Sequence, residues 1–208
     1  MINTRRLRLI IGGLGMSLSI IVLVLSIING YPFPKSISST YYLEPCITPF
    51  MIILGWASGT LICYKGYELI DDIICSFAGL FGLGICLFPC YSVRDVDQIV
   101  GTFQLSANTS DMIHTVCAVI FFILLAFNSL FLFTKSTGEM TKNKKRRNII
   151  FRVCGVGMVA SFALLLLPIP QAVWIVETVA LIFFGISWFT KANCIPFLFA
   201  DKKENNTK

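Results

Sequence analysis

Six runs of almost uninterrupted apolar residues, 9–28, 47–64, 73–88, 112–134, 149–167 and 173–189, constrain this chain more than any motif in it. They are 16 to 23 residues long, and a helix rising 1.5 Å per residue needs roughly 20 apolar residues to cross a hydrocarbon core of about 30 Å. A backbone in lipid must satisfy its own hydrogen bonds, which a helix does. The reading is therefore an all-α, polytopic membrane bundle of six transmembrane helices, with residues 1–208 as one domain and no room for a separate soluble one. Composition agrees: 56% of the residues are hydrophobic and 13% charged, with a mean hydropathy of +0.79, against about 25% charged in soluble domains.

The first run follows Arg5, Arg6 and Arg8, as a secretory signal would. Its apolar stretch exceeds the usual 7–15 residues, and the exit through Asn29-Gly30-Tyr31-Pro32 offers no small-x-small cleavage site, so an uncleaved helix is expected. The segment 30–46 carries Pro32, Pro34 and Pro45 among Tyr31, Phe33, Tyr41 and Tyr42, the composition of an interfacial connection. A short link, 65–72, makes the second and third helices an antiparallel hairpin. The longest loop runs to Asp111 and is read as solvated, with Ser110 or Asp111 capping the fourth helix. Pro168-Ile169-Pro170-Gln171 is a tight turn, and the polar stretch after Lys191 contains an apolar patch, 195–199, suited to a membrane surface.

Six crossings put the termini, the 65–72 link and the 135–148 loop on one side. That side holds 15 of the 17 basic residues, leaving Lys35 and Arg94 opposite, and such a bias marks it as cytoplasmic. The net charge of +6 is thus a topology signal, and it argues for membrane lipids as partners, with anionic headgroups at the 142–147 run, and against nucleic acid. Protein partners have no signature here. The eight cysteines form no CxxC pair and are read as buried free thiols; Cys46 and Cys90 both fall at outer helix ends, and whether they pair is left open. Small residues four apart, Gly13/Ser17, Gly55/Gly59, Ala78/Gly82/Cys86 and Gly157/Ser161, are read as helix-packing faces.

Ionisable residues within membrane spans are costly and carry a functional prior. Glu177 lies about one turn below the outer end of the sixth helix, and His114, the sole histidine, lies near the outer end of the fourth, one turn from Asp111. With Arg94, Tyr41 and Tyr42, and beside Asp95, Asp97 and Ser38, they form a candidate outer polar pocket in which Glu177 pairs with His114 or Arg94. The competing reading is an interfacial pair that only fixes helix positions. A candidate inner polar layer joins Glu68, Asp71 and Asp72 to Lys65 and Arg152, for which helix capping and a salt bridge suffice.

No catalytic residues, metal or cofactor are read from the chain. One histidine and no spaced cysteine set do not supply a zinc or bis-histidine haem site, and there is no GxSxG elbow.

Three stretches do resemble a known family: 36–42 (Ser36 to Tyr42), then Tyr64-Lys65-Gly66-Tyr67 with Asp71-Asp72 and 78–84, then His114 with Ala118 and Phe121-Phe122. In order and spacing they are similar to an uncharacterised bacterial six-helix membrane family, a domain of unknown function similar in layout to the DRAM-like autophagy modulators. The resemblance implies a six-helix fold, a bacterial inner membrane, and Tyr64, Gly66, Asp72, Pro89, His114 and Glu177 as positions to watch. Glu44-Pro45-Cys46 stands where that pattern has a basic residue. None of the stretches is a catalytic signature. A non-enzymatic binding, sensing or lipid-associated role is expected, with a small-solute or lipid transporter and then a membrane-embedded hydrolase as alternatives.

Overall fold

Each apolar run forms one long helix in the computed structural model, which describes residues 4–91, 99–135 and 141–194. The helices are α1 (Thr4–Ile28), α2 (Glu44–Ile62), α3 (Leu69–Leu87), α4 (Ala107–Phe127), α5 (Lys142–Ser161) and α6 (Ala172–Lys191). A π-helical turn, Asn128–Leu132, continues α4, and a 3₁₀ turn, Phe162–Leu166, continues α5. All six are long and apolar enough to cross a membrane.

Several helices start before their apolar runs, because polar side chains cap them in the flanking segment. Thr141 Oγ1 accepts from Lys144 N at 3.2 Å ahead of α5, and Ser106 Oγ accepts from Thr109 N at 3.3 Å ahead of α4. Glu68 and Asp71 form a capping box on α3. Ser110 and Asp111, the residues the sequence offered as caps, instead sit inside α4. There they hold the end of α3: Ser110 Oγ donates to Pro89 O (2.8 Å) and Asp111 accepts from Tyr91 N (2.7 Å). The described part of the long loop, 99–106, has regular structure of its own. It contains an antiparallel pair, β1 (Ile99–Val100) and β2 (Leu105–Ser106), and Phe103 stacks on Phe88 with ring centroids 5.0 Å apart.

The helices form a ring in which each packs on the next and α6 closes on α1. Glycines set the tightest approaches. A Cβ on Gly185 of α6 would lie 3.0 Å from the Gly12 carbonyl of α1 and inside the Met16 side chain. A Cβ on Gly79 of α3 would lie 2.5 Å from the Ser58 carbonyl of α2. The Ala78/Gly82/Cys86 face is buried as expected, and Gly157 meets the Phe183 ring. By contrast, Gly13, Gly55 and Gly59 face open space, so α1 presents Gly12 and Gly15 to α6 rather than the Gly13/Ser17 face, and one residue turns a helix by about 100°.

Thr4 and Lys191 end up on the same side, since Arg5 Nε donates to Ala192 O (3.1 Å) and Arg8 donates to Lys191 O (3.2 Å). This basic end is plugged by Tyr64, Phe133, Phe151 and Trp188, with ring centroids 4.9 to 5.3 Å apart. Helix-to-helix bonds add to it: Ser129 Oγ pairs with Ser187 Oγ (2.7 Å) and reaches Phe151 O (2.8 Å), and Asn128 donates to Cys75 Sγ (3.0 Å). The outer faces stay apolar. Ile20, Trp56, Leu80, Ile123 and Val156, from five different helices, are all more than half exposed, which suits hydrocarbon and not water. The chain is a multi-pass membrane bundle.

Candidate functional site

At the far end from the basic one, the segment between α1 and α2 folds over the start of α6. Trp174 N donates to Lys35 O at 3.2 Å, and Phe33 packs edge-on against Trp174 at 5.5 Å. This places Ile37 N and Ser38 Oγ so that both donate to the Glu177 carboxylate, Ser38 at 3.4 Å. Across the bundle, α4 carries His114, which is 6% exposed and whose Nδ1 lies 2.7 Å from Phe88 O. That carbonyl can only accept, so Nδ1 bears the proton and Nε2 of the neutral ring is an acceptor. The carboxylate and the imidazole are thus each fixed by the backbone of a neighbouring segment.

Glu177 and His114 line one cavity of about 350 Å³, together with Asp111, Cys90, Ser38 and Lys35. They share this space without a bond to each other among the described residues. Tyr42 stands behind it, with its hydroxyl donating to Cys90 O, and Tyr41 packs edge-on against the Tyr42 ring at 5.3 Å. Arg94, Asp95 and Asp97 lie outside the described residues. Burial, then the charges of Glu177 and Asp111, push the Cys90 thiol up to about 12, so it stays protonated at neutral pH and is a poor nucleophile. Cys46 and Cys90 are separate free thiols; Cys46 donates to Val22 O at 3.4 Å.

The cavity is not polar throughout. Val119, Phe122 and Phe162 line its other wall, and the same three residues line a groove of about 170 Å³ that continues along α4 and α5 past Ile123, Met158 and Val159. Ile123 and Val159 are more than half exposed on the flank of the bundle. Beneath Glu177, a chamber of about 30 Å³ among Leu54, Phe121 and Leu181 is about the size of one water.

No family model, curated protein or solved structure matches this chain. What it does has to be read from its own geometry, and among the described residues no three His, Cys, Asp or Glu side chains are grouped to hold a metal.

The basic end holds the inner polar layer, with one change of partner. Lys65 pairs with Asp72 at 3.1 Å, and Gly66 N donates to the same carboxylate at 2.7 Å. Asp71 accepts from Tyr67 N and Glu68 N. The cation that reaches Glu68, and lies 4.0 Å from Asp71, is Lys135. Arg152 is exposed on α5 and makes no ion pair among the described residues. Burial lifts the Tyr64 phenol to about 12 against the opposing pull of Arg8, whose Nε donates to its oxygen at 3.2 Å. Sequence reasoning also left Lys191 among the topology charges. It is the last residue of α6, and it is only 9% exposed.

Proposed function

We propose that this protein binds or senses a lipid in a cell membrane without chemically changing it, taking the headgroup in the far cavity and an acyl chain in the adjoining groove. The observation that carries the reading is the shared wall of Val119, Phe122 and Phe162, which joins a polar cavity to an apolar groove on the flank of the bundle. A soluble ligand has no use for such a groove, whereas an amphiphile fits both parts. Glu177 and Asp111 suit the ammonium of a zwitterionic headgroup, with Lys35 at the rim for its phosphate. By the basic bias this cavity faces outward and the termini are cytoplasmic, and the family resemblance favours a bacterial inner membrane.

A second reading, lipid or solute transport, is favoured by the non-α turns that finish α4 and α5 at Asn128–Leu132 and Phe162–Leu166. Transporters break helices near the midplane, however, and these turns lie at helix ends. A hydrolase has less support, since the sequence carries no GxSxG elbow.

Native mass spectrometry of the purified protein in maltoside micelles with added phosphatidylethanolamine tests the proposal. The wild type should retain the lipid. Glu177→Gln removes a charge-assisted contact worth about 1.5–3 kcal/mol, so retention should fall by roughly ten- to a hundredfold, and Val119→Phe, which fills the groove, should do the same. Equal retention by all three proteins would overturn the reading.

A further inference from the structure

The opposite end of the bundle contains a second cavity, of about 250 Å³, between the start of α1, the loop before α3, the segment after α4 and the end of α6. Its wall carries five basic residues, Arg8, Lys135, Lys144, Arg147 and Lys191, against one acidic residue, Glu68. The acids nearby have partners of their own: Glu68 takes Lys135, and Asp71 accepts from Tyr67 N and Glu68 N through Oδ2, while its Oδ1 makes no hydrogen bond among the described residues and lies 4.0 Å from Lys135 Nζ. Counting Asp71 still leaves an excess of three positive charges among the described residues.

Three of the cations bond neutral groups. Arg8 donates to the Tyr64 hydroxyl and to Lys191 O, Lys144 Nζ to Phe133 O at 3.1 Å, and Arg147 to Asn193 Oδ1 at 2.7 Å. An ammonium has three donors, so Lys144 has two beyond that bond. Lys191 Nζ sits 4.7 Å from the ring centroids of both Tyr67 and Phe133 and has no hydrogen-bond acceptor among the described residues. Beside it, Thr190 is fully buried and its Oγ1 is also without a partner. A buried hydroxyl left unsatisfied is costly, and the Lys191 ammonium lines the cavity with only two rings packed against it. The two rings compensate only part of the cost at Lys191, and an anionic oxygen in the cavity would satisfy both groups.

We propose that this cavity is a binding site for a phosphate-type oxyanion, with Lys191 and Thr190 at its floor and Arg8 and Lys144 at its sides. The phosphate has two possible sources at a membrane surface, an anionic lipid headgroup or a free phosphate ion. The proposal is independent of the lipid reading above, since the two cavities lie at opposite ends of the bundle and share no residue.

The test uses the full chain in phosphate-free maltoside micelles. One arm titrates inorganic phosphate at constant ionic strength and follows the melting midpoint, which rises with any ligand that binds only the folded state. The other adds phosphatidylglycerol, with phosphatidylcholine as reference, and measures retention by native mass spectrometry. A saturable midpoint rise identifies free phosphate, and selective retention of phosphatidylglycerol identifies a headgroup. In either case Lys191→Met and, should that variant fold poorly, Lys144→Gln should weaken the response about tenfold or more. Lys65→Gln, outside the cavity, should leave it unchanged. No response in either arm, or a response of full size in both Lys191→Met and Lys144→Gln, would overturn the site.

Discussion

Glu177 illustrates how a membrane protein keeps a carboxylate near lipid. Its oxygens face Ile37 N and Ser38 Oγ, so the group is satisfied from within the fold. Gln at this position can still accept from Ile37 N, so Glu177→Gln should insert and melt close to wild type while losing lipid; a melting midpoint lowered by many degrees would make the residue structural only. Tyr64 gives a pH prediction. Its folded pKa, raised to about 12, lies above the roughly 10 of an unfolded tyrosine. Below pH 10 both states hold the proton; above it the unfolded chain releases the proton first, so this contribution to stability is lost as pH rises from about 10 to 12, by at most about 2–3 kcal/mol. Tyr64→Phe should lower stability at neutral pH by about 1 kcal/mol through the lost Arg8 bond. Its melting midpoint should then fall less steeply than that of wild type between pH 9.5 and 11.5, and parallel curves would contradict the assignment.

Among the elements, the apolar runs were legible because bilayer thickness dictates their length. Helix starts were not, because the caps Glu68, Ser106 and Thr141 lie outside the apolar pattern. The candidate site was legible in part: Ser38, Asp111, His114 and Glu177 could be placed in one layer by depth alone. Depth does not say which segment folds over α6, so the bond from Ile37 N could not be seen, nor could the arrival of Lys135, from the segment after α4, beside Glu68. The burial of Lys191 was hidden for a similar reason, since Tyr67 and Phe133 come from distant segments. Small-residue stripes show the same division between pattern and packing. Gly185→Val should destabilise the α1–α6 contact by about 1–3 kcal/mol through overpacking, whereas Gly55→Ala, in open space, should be neutral or stabilising by up to about 1 kcal/mol. Thermal melting of the two variants beside wild type checks both, and a tolerant Gly185 would mean the helices can separate there.

At the scale of the whole molecule, a ring of six helices holds, among the described residues, an acidic cavity beside an apolar groove at the far end and a basic cavity at the end where Thr4 and Lys191 meet. The assignment of these cavities to opposite sides of a membrane rests on an even number of crossings and on the concentration of 15 of 17 basic residues at one end. Reporter fusions placed after Val100, after Gly138 and at Lys208 test this most directly. The account predicts an external signal after Val100 and cytoplasmic signals after Gly138 and Lys208; an external signal after Gly138 would contradict the six-span arrangement and, with it, the sidedness of both cavities.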